Sequence, residues 1–260
     1  MPESGAALKE AQQAIRRGVE LGMVHIDTAE MYGGGRVEAL LAEAIRGIPR
    51  ERLFIATKVL PSNASFKSTL TAAERSLRRL KCDYVDLYLL HWPGSYPLAE
   101  TMGAFDRLVK EGKTRFVGLS NFEADEMLEA ASYLKTARLA CNQVLYHLGE
   151  RGIEHGLLPV ARRHGVAIVA YTPFGRGSFL RAGAAREVLE RVARKQDATV
   201  RQVALSFLTR EPDVFAIPKA ARVQHVEENA HAAELELDAQ DVAAIDAAFP
   251  RGKPGPLAML

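Results

Sequence analysis

Short apolar runs alternate along this chain with longer stretches in which apolar residues recur every three or four positions. A short run bounded by polar or turn residues predicts a buried strand, whereas the longer period predicts an amphipathic helix. By this rule we predict seven strands, at residues 24–28, 53–58, 85–91, 114–119, 139–145, 166–172 and 214–218. The predicted helices are at residues 6–21, about 37–45, 65–80, 98–111, 123–135, 153–164, 183–195, 199–210, 222–233 and 239–248.

The helix signals are clearest in the third helix and at several helix ends. Glycines at positions 22, 47 and 112 follow predicted helices and predict their ends. Asp238 is a predicted N-cap for the last helix. The inward-facing positions predicted for the third helix are Phe66, Leu70, Ala73, Leu77 and Leu80.

The predicted strands and helices alternate over most of the chain. Such alternation implies parallel strands with right-handed crossover connections, as in a barrel or a doubly wound sheet. A chain of 260 residues can bury a sizeable core, and α/β barrels of this length often form one domain. We therefore expect an α/β fold with a single domain over residues 1–260.

Polar side chains that are common in catalytic sites stand at the ends of the first three strands. Asp27 ends the first strand, and Tyr32 follows it in a turn closed by the glycines 33–35. Lys58 ends the second strand and His91 ends the third. Because parallel strands deliver their carboxyl ends to one edge of a sheet, we expect these four side chains to lie together.

Segments along nearly the whole chain resemble the aldo-keto reductase family. They are IDTAEMYGGG (26–35), ATKV (56–59), YLLHWP (88–93), VGLSNF (117–122), CNQVLYH (141–147), AYTPFGRG (170–177) and IPKA (217–220), followed by EEN (227–229). The resemblance, which extends to bacterial NADPH-dependent aldehyde and methylglyoxal reductases, implies a TIM (β/α)8 barrel and an oxidoreductase. It also implies a catalytic set made of Asp27, Tyr32, Lys58 and His91.

Carbonyl reduction needs residue types of this kind. Hydride that reaches a carbonyl carbon leaves an oxyanion, so the site needs an acid beside the oxygen and a positive charge that favours it. A free phenol has a pKa of about 10, and a lysine ammonium about 4 Å away supplies roughly the stabilisation that makes it an acid at neutral pH. We assign these roles to Tyr32 and Lys58. Asp27 would keep the lysine charged, and His91 can donate a hydrogen bond to the carbonyl oxygen.

Each of these residues also has a structural interpretation. An Asp at a strand end can cap a helix, a Tyr after a strand can belong to the core, and a strand-terminal Lys or His can be a surface group. A chemical alternative makes Lys58 a Schiff-base nucleophile, as in barrel aldolases. Asp27 argues against it, because an adjacent carboxylate keeps the amine protonated.

The cofactor assignments rest on the resemblance, since no GxGxxG motif follows the first strand. In the family, residues corresponding to Ser120, Asn121 and Gln143 hold the nicotinamide carboxamide, and an aromatic residue corresponding to Tyr171 stacks on the ring. Without the resemblance, Asn121 could cap the helix at 123–135 and Tyr171 could be a core residue. The loop whose backbone would cover the pyrophosphate comprises Thr172, Pro173, Phe174, Gly175, Arg176 and Gly177.

The residues after the last strand bear on the choice between NADPH and NADH. NADPH-using members often have Lys-Ser here and an Arg six residues after the Lys, whereas this chain has Lys219, Ala220 and His225. One hydroxyl and one permanent charge are missing, and Arg222 could compensate. The residues expected to contact the adenine are Glu228 and Asn229. We predict NADP(H) as the cofactor, with a weakened preference over NAD(H).

The sequence predicts a class of substrate and not a single compound. Trp92, the only tryptophan, follows His91 and is predicted to form one wall of the pocket. The loops around it are short, which favours an open pocket, so small or aromatic aldehydes and 2-oxoaldehydes are predicted by analogy over steroids. An alternative function is a regulatory, NADPH-binding subunit of a channel with little turnover.

The composition of the chain indicates which kinds of binding partner and which cellular compartment to expect. The 34 basic and 32 acidic residues are mixed and the net charge is +2, so no basic stripe predicts nucleic acid or an anionic membrane as a partner. Cys82 and Cys141 form no CxxC, and neither a metal site nor a disulfide framework is expected. No apolar run approaches the roughly 20 residues of a membrane span, and the polar amino terminus does not resemble a signal peptide. We expect a cytoplasmic monomer whose partner is a small-molecule aldehyde or ketone.

The strand count departs from the family, which has eight strands and an N-terminal hairpin. Here the first helix begins almost at Met1, and the strand that carries Asp27 is the first of seven. We expect the hairpin and first strand to be lacking, through a misassigned start site or a genuine truncation. Unpaired strand edges would then be exposed, which leaves open a chain that no longer folds or works.

Overall fold

The computed structural model describes residues 5–180 and 183–260, apart from the side chains of residues 178–180. The chain divides into two units, residues 1–142 and 143–260. Seven strands lie within the described residues, as many as the hydrophobic pattern predicts. None of the helices in the described part is long and apolar enough to cross a membrane.

The first unit alternates helices with parallel strands. Its helices are α1 (Gly5–Glu20), α2 (Arg36–Ala44), α3 (Phe66–Leu80), α4 (Leu98–Lys110) and α5 (Ala124–Tyr133). Its strands are β1 (His25–Asp27), β2 (Phe54–Val59), β3 (Val85–Leu90) and β4 (Thr114–Ser120), and β5 (Leu139–Leu145) begins in this unit. β1 to β4 pair side by side in chain order, and each of their ladders is parallel.

The register of these strands brings their polar carboxyl ends to one edge. Asp27 of β1 lies opposite Ala56, and Lys58 of β2 lies opposite Leu89. β2 and β3 are almost wholly buried, which explains their near-continuous apolar sequence. Leu89 lies opposite Gly118, where an added Cβ would come 2.8 Å from the backbone oxygen of Cys141. A larger residue than glycine therefore does not fit at that point of β4.

One core prediction for the first unit is wrong. Phe66 was expected to face inward, but its side chain is 43% exposed. Phe66 is the first residue of α3, directly after the N-cap Ser65, and its backbone N–H donates to Glu100 at 3.0 Å. At a helix start the side chain lies over the rim of the packed face, and the buried stripe begins one turn later at Thr69. Leu77 and Leu80 are buried as predicted.

The second unit is mainly helical. Its helices are α6 (Leu157–Arg163), α7 (Ala184–Lys195), α8 (Val200–Leu208), α9 (Val223–His231) and α10 (Ala239–Ala248). Its strands β6 (Ala167–Tyr171) and β7 (Val214–Ile217) pair in parallel, with Val169 opposite Phe215. Asp238 is the N-cap of α10, and its side chain accepts from the N–H of Asp241 at 2.8 Å, as predicted.

Two helices of this unit are shorter than predicted. The helix expected at 153–164 is a 3-10 turn, Gly152–His155, followed after Gly156 by α6. The helix expected at 222–233 ends at His231 and passes into a 3-10 turn, Ala232–Glu234. α7, α8 and α10 enclose the core of this unit, which contains Leu148, Leu189, Val192, Ala193, Val203, Ala204, Phe207, Ile245 and Phe249.

Candidate active site

Lys58 is a charged side chain inside the first unit. It lies near the carboxyl end of β2, and its side chain is 0% exposed. Its Nζ donates to Asp27 Oδ1 at 2.5 Å and to the backbone oxygen of Thr28 at 2.9 Å. A buried ammonium is costly unless it is paired and hydrogen-bonded, and the end of β1 supplies both partners. Lys58 is therefore not a surface group, and Asp27 does not serve as a simple helix cap.

Tyr32 begins the short 3-10 turn Tyr32–Gly35 that links β1 to α2. The glycines at positions 33, 34 and 35 have φ angles of 59°, 63° and 86°, in the left-handed region that favours glycine. The Nζ of Lys58 lies 5.2 Å from the centroid of the Tyr32 ring. The same ring meets the His91 imidazole edge to face, with a centroid distance of 5.7 Å. The structure thus brings a phenol, an ammonium and an imidazole into one cluster.

His91 follows β3 directly, and its backbone N–H donates to the oxygen of Val59 at 3.0 Å. Its side chain is buried, and its ring lies 4.7 Å from the ring of Trp92 between centroids. Burial, and to a smaller extent the charge of Lys58, lower the pKa of His91 to about 4, while the charge of Asp27 opposes the shift. The imidazole is therefore neutral near pH 7. A neutral imidazole keeps one N–H, which can donate to a carbonyl oxygen.

The neutral state of His91 makes the protein less stable in acid. In the unfolded chain a histidine binds a proton below about pH 6.5, whereas in the folded chain His91 does so only below about pH 4. The unfolded state therefore binds more protons in this window, and stability falls as the pH falls from 6.5 to 4. We expect His91→Gln to remove the contribution of this histidine to the loss of stability, which is at most about 3 kcal/mol.

Urea unfolding at several pH values between 7 and 4 measures this effect. The exposed His164, changed to Gln, is the control and should leave the pH dependence of stability as it is in the wild type. Part of the slope will persist in His91→Gln, because burial also lowers the pKa of His25 and of His147. A slope in His91→Gln as steep as that of the wild type contradicts the prediction.

Ser120 is the last residue of β4, and Asn121 follows it directly in the same unit. Ser120 is buried, and Asn121 has a φ angle of 63°. The Asn121 side chain donates to the backbone oxygen of His91 at 3.1 Å and to Ser120 Oγ at 3.1 Å. The N-cap of α5 is Glu123, whose N–H donates to Glu126. The interpretation of Asn121 as a helix cap is therefore wrong, and its amide instead braces the segment that carries His91.

Cys141 is a buried residue of β5 in the same unit and takes no part in this cluster as a nucleophile. Burial raises the pKa of its thiol to about 12. A nucleophilic cysteine needs the thiolate form, so Cys141 is a packing residue at neutral pH. Both cysteines are free thiols.

The second unit carries the other residues assigned to the cofactor. Gln143 is buried, and Tyr171 is half-buried at the end of β6. The loop after β6 turns sharply, with positive φ angles at Thr172, Gly175, Arg176 and Gly177. Such a loop lets the backbone come close to a ligand, because a string of left-handed residues exposes main-chain groups.

The connection after β7 carries the candidate phosphate-binding residues. Lys219, Arg222 and His225 are exposed, whereas Ala220 is partly buried and Asn229 is buried. Glu228, on α9, accepts a hydrogen bond from Thr199 Oγ1 at 2.6 Å. This contact ties α9 to the start of α8, where Arg201 stacks over the Phe174 ring with 5.0 Å between the guanidinium carbon and the ring centroid. The helix and the loop assigned to the cofactor are thus both linked to α8.

Two buried glutamates of the first unit were not among the predicted site residues. Glu30 lies in the segment between β1 and Tyr32, and Glu38 lies in the first turn of α2. Glu38 accepts from Thr57 Oγ1 at 2.7 Å and from Arg79 Nε at 2.6 Å. The signal that could have found them is a glutamate inside or next to an otherwise apolar and glycine-rich segment, since a buried carboxylate needs partners.

In comparisons with known proteins, this chain matches one family and is similar to several reductases. Residues 4–249 match the model of the Aldo/keto reductase family. Methylglyoxal reductase YeaE of Escherichia coli is 41% identical over 254 residues, which cover 97% of this chain and 89% of that protein. Glyoxal reductase of Bacillus subtilis is 34% identical over 251 residues, which cover 95% of this chain and 86% of that protein.

A protein from Klebsiella pneumoniae has a solved structure with the same fold. It is a crystal structure of an aldo-keto reductase in complex with NADPH, 39% identical in sequence. The superposition has a TM-score of 0.92 and covers 100% of this chain and 92% of that one. This likeness confirms the predicted fold class, the (β/α) barrel.

Proposed function

The chain belongs to the aldo/keto reductase family, and from this premise we propose that it reduces small aldehydes and ketones to alcohols with NADPH. We propose 2-oxoaldehydes such as methylglyoxal as the foremost substrates, because the relatives from E. coli and B. subtilis are named as methylglyoxal and glyoxal reductases. The observation that carries the proposal is the buried Lys58–Asp27 pair beside the phenol of Tyr32.

Tyr32 is the acid in this proposal. Reduction of a carbonyl places negative charge on its oxygen, which then takes the hydroxyl proton of Tyr32. The phenolate left behind is stabilised by the ammonium of Lys58, since opposite charges a few ångströms apart attract strongly where water is excluded. The phenolate regains a proton from solvent after the alcohol leaves.

Asp27 and the backbone of Thr28 hold the Lys58 ammonium in place. Nζ donates one hydrogen bond to each. An ammonium held by a carboxylate in this way has no lone pair with which to attack a carbonyl, so the geometry disfavours the Schiff-base alternative. Borohydride added with an aldehyde should leave Lys58 unmodified, and a covalent adduct there would make the lysine a nucleophile.

His91 orients the substrate in this proposal. Its neutral imidazole donates to the carbonyl oxygen that Tyr32 protonates, so two donors converge on one acceptor. Trp92 packs against the His91 ring and is proposed to form a wall of the substrate pocket. An aromatic wall suits small and aromatic aldehydes, because it adds apolar area without adding a charge.

The residues present fit a nicotinamide dinucleotide. When bound, its reduced nicotinamide supplies the hydride. Gln143 is a buried amide and Tyr171 is an aromatic residue at a strand end, as the carboxamide and the ring require. The loop at 172–177 has the left-handed backbone that suits a close phosphate contact. The residues proposed to bind the cofactor are Ser120, Asn121, Gln143, Tyr171, Thr172, Pro173, Phe174, Gly175, Gly177, Lys219, Ala220, His225, Glu228 and Asn229.

Lys219 is proposed to select NADPH through the 2′-phosphate. It is an exposed cation after β7, and a charge-assisted hydrogen bond contributes about 1.5–3 kcal/mol. We therefore expect Lys219→Ala to raise the dissociation constant of NADPH by about 10- to 100-fold and that of NADH by less than about 2-fold. Arg222→Ala should raise the NADPH constant less, because Arg222 is proposed to compensate for the arginine that His225 replaces in this chain.

Quenching of protein fluorescence by each cofactor measures these constants. Lys195→Ala is the matched control, since Lys195 is already paired with Asp238 and Asp241 and its loss should change neither constant. If Lys219→Ala weakens the binding of NADPH and NADH equally, the lysine contacts a part of the dinucleotide that both cofactors share. A wild-type preference for NADH would contradict the cofactor assignment.

The function itself is tested by NADPH consumption with a panel of aldehydes. The enzyme should consume NADPH with each of methylglyoxal, glyoxal and benzaldehyde. Each aldehyde should yield the corresponding alcohol. Cofactor binding without aldehyde-dependent turnover would overturn the proposal and favour the regulatory alternative. The named relatives reported above are reductases, so nothing in the comparison favours that alternative.

A further inference from the structure

The turn that carries Tyr32 is intrinsically loose on one side. Three consecutive glycines follow Tyr32, each with a positive φ angle. Glycine loses more conformational freedom on folding than any other residue, so a run of three cannot hold a neighbouring side chain in place. Proton transfer needs the phenol and its partners held close to one geometry. Something other than these glycines must therefore hold Tyr32 relative to Lys58.

The segment before Tyr32 is tied to the strand that carries Lys58. The N–H of Glu30 donates to the backbone oxygen of Lys58 at 3.2 Å. The side chain of Glu30 is turned to the same strand end, where its Oε1 accepts from the N–H of Leu60 at 2.8 Å and from Asn63 Nδ2 at 2.9 Å. Leu60 directly follows β2. Glu30 thus continues the β1–β2 pairing beyond the last residues of the two strands.

This contact holds Tyr32 from the side of the turn that contains no glycine. Glu30 is 9% exposed and precedes Tyr32 by two residues without an intervening glycine. On the other side, Arg36 Nε donates to the oxygen of Gly33 at 2.9 Å, and Glu38 is anchored to β2 and α3. Those anchors act through the glycine run. Glu30 therefore ties the turn to β2 without a glycine between the contact and Tyr32.

We propose that Glu30 is a positioning residue, which fixes the turn so that the phenol of Tyr32 stays beside the ammonium of Lys58. The inference rests on the proposed function, since it gives Tyr32 the role of the acid. Glu30 acts through the turn and contributes no proton or charge to the reacting atoms.

The hydrogen-bonding atom of Glu30, rather than its charge, carries this role. Both donors, the Leu60 N–H and the Asn63 amide, are neutral groups that share one oxygen. Gln places an oxygen at the same position, so Glu30→Gln should keep both hydrogen bonds. Glu30→Ala removes the acceptor and leaves residue 30 tied to β2 by its backbone N–H alone. Displacement of a reacting group by about 1 Å can cost about 100-fold in rate.

The test compares Glu30→Ala, Glu30→Gln and a matched control. Asp106→Ala is the control, because Asp106 is also a carboxylate that accepts from loop N–H groups, those of Lys135, Thr136 and Ala137. It should lower stability without touching the turn. For each variant the kcat and KM for the aldehyde are measured well below its melting temperature, and hydrogen exchange is measured for the amides of residues 29–35.

Glu30→Ala should lower kcat by about 10- to 100-fold, and hydrogen exchange in residues 29–35 should become faster. Glu30→Gln should regain most of the wild-type kcat and protection, and Asp106→Ala should retain both. The inference is overturned if Glu30→Ala keeps the wild-type kcat, or if Glu30→Gln is as impaired as Glu30→Ala. It is also overturned if Asp106→Ala loses as much kcat at equal stability.

Tyr32→Phe, measured in the same assay, separates this inference from the proposed function. If Tyr32→Phe is inactive and Glu30→Ala is fully active, Tyr32 is the acid and Glu30 does not position it. If Tyr32→Phe is as active as the wild type, Tyr32 is not the acid and the inference fails with that assignment, whereas a wild type without aldehyde-dependent NADPH consumption would overturn the proposed function itself. The hydrogen-exchange result then still reports whether Glu30 holds the turn.

Discussion

Tyr32→Phe is expected to remove nearly all aldehyde reduction, with kcat falling by about 100- to 10,000-fold, the range that positioned acid–base groups contribute. The substitution removes one hydroxyl group and keeps the ring. The ring contacts with His91 and with the ammonium of Lys58 involve the aromatic face and edge, so they should survive. The loss of rate therefore reports the loss of the proton donor.

Cofactor binding and folding are the controls for Tyr32→Phe. NADPH should quench the fluorescence of the variant as it does that of the wild type, and the melting temperature should change by little. Retention of more than about a tenth of the wild-type kcat, which is a difference of less than about 1.4 kcal/mol in the barrier, is incompatible with Tyr32 as the acid. The proton would then have to come from another group of the cluster, His91 or Lys58.

Lys58→Met is expected to be the second most damaging change to the reaction. Methionine matches the length and apolar stem of lysine and lacks the charge. The phenolate that forms at Tyr32 would lose its stabilising ammonium, and removal of a preorganised electrostatic partner costs about 100- to 1,000-fold in kcat. Stability should also fall, by about 3–5 kcal/mol, because the Asp27 carboxylate would lose its buried partner.

A double variant separates these two effects. In Lys58→Met with Asp27→Asn, no charge is left unpaired, so most of the lost stability should return, as chemical denaturation would measure. The rate should stay as low as in Lys58→Met alone, because the cation is still missing. Recovery of the rate together with the stability would show that the lysine serves the fold and not the reaction.

The order of strands and helices could be predicted from the hydrophobic pattern, because buried parallel strands leave a direct mark in the sequence. β2 and β3 are buried along almost their whole length, so their residues are apolar until a polar residue is needed at the end. Lys58 and His91 stand out for that reason. Their proximity to Asp27 followed from the rule that parallel strands present their carboxyl ends at one edge.

The rest could not be predicted, because it depends on contacts between distant segments. The helical period marks one face of α3 but does not say where packing begins, so Phe66 was placed inward although it lies at the exposed start of that helix. Gly156 interrupts a stretch whose period is helical on both sides. Glu30 carries no motif of its own, and its role emerges only from Leu60 and Asn63, more than 25 residues away.

The fate of deuterium from NADPH labelled at the transferring position of the nicotinamide tests the central claim most directly. The purified chain is incubated with this cofactor and methylglyoxal, and the product is examined by mass spectrometry. The account predicts an alcohol with one deuterium on the former carbonyl carbon, in an amount equal to the NADPH consumed. An unlabelled product, or no consumption of NADPH by a folded chain that binds it, would contradict carbonyl reduction by hydride transfer.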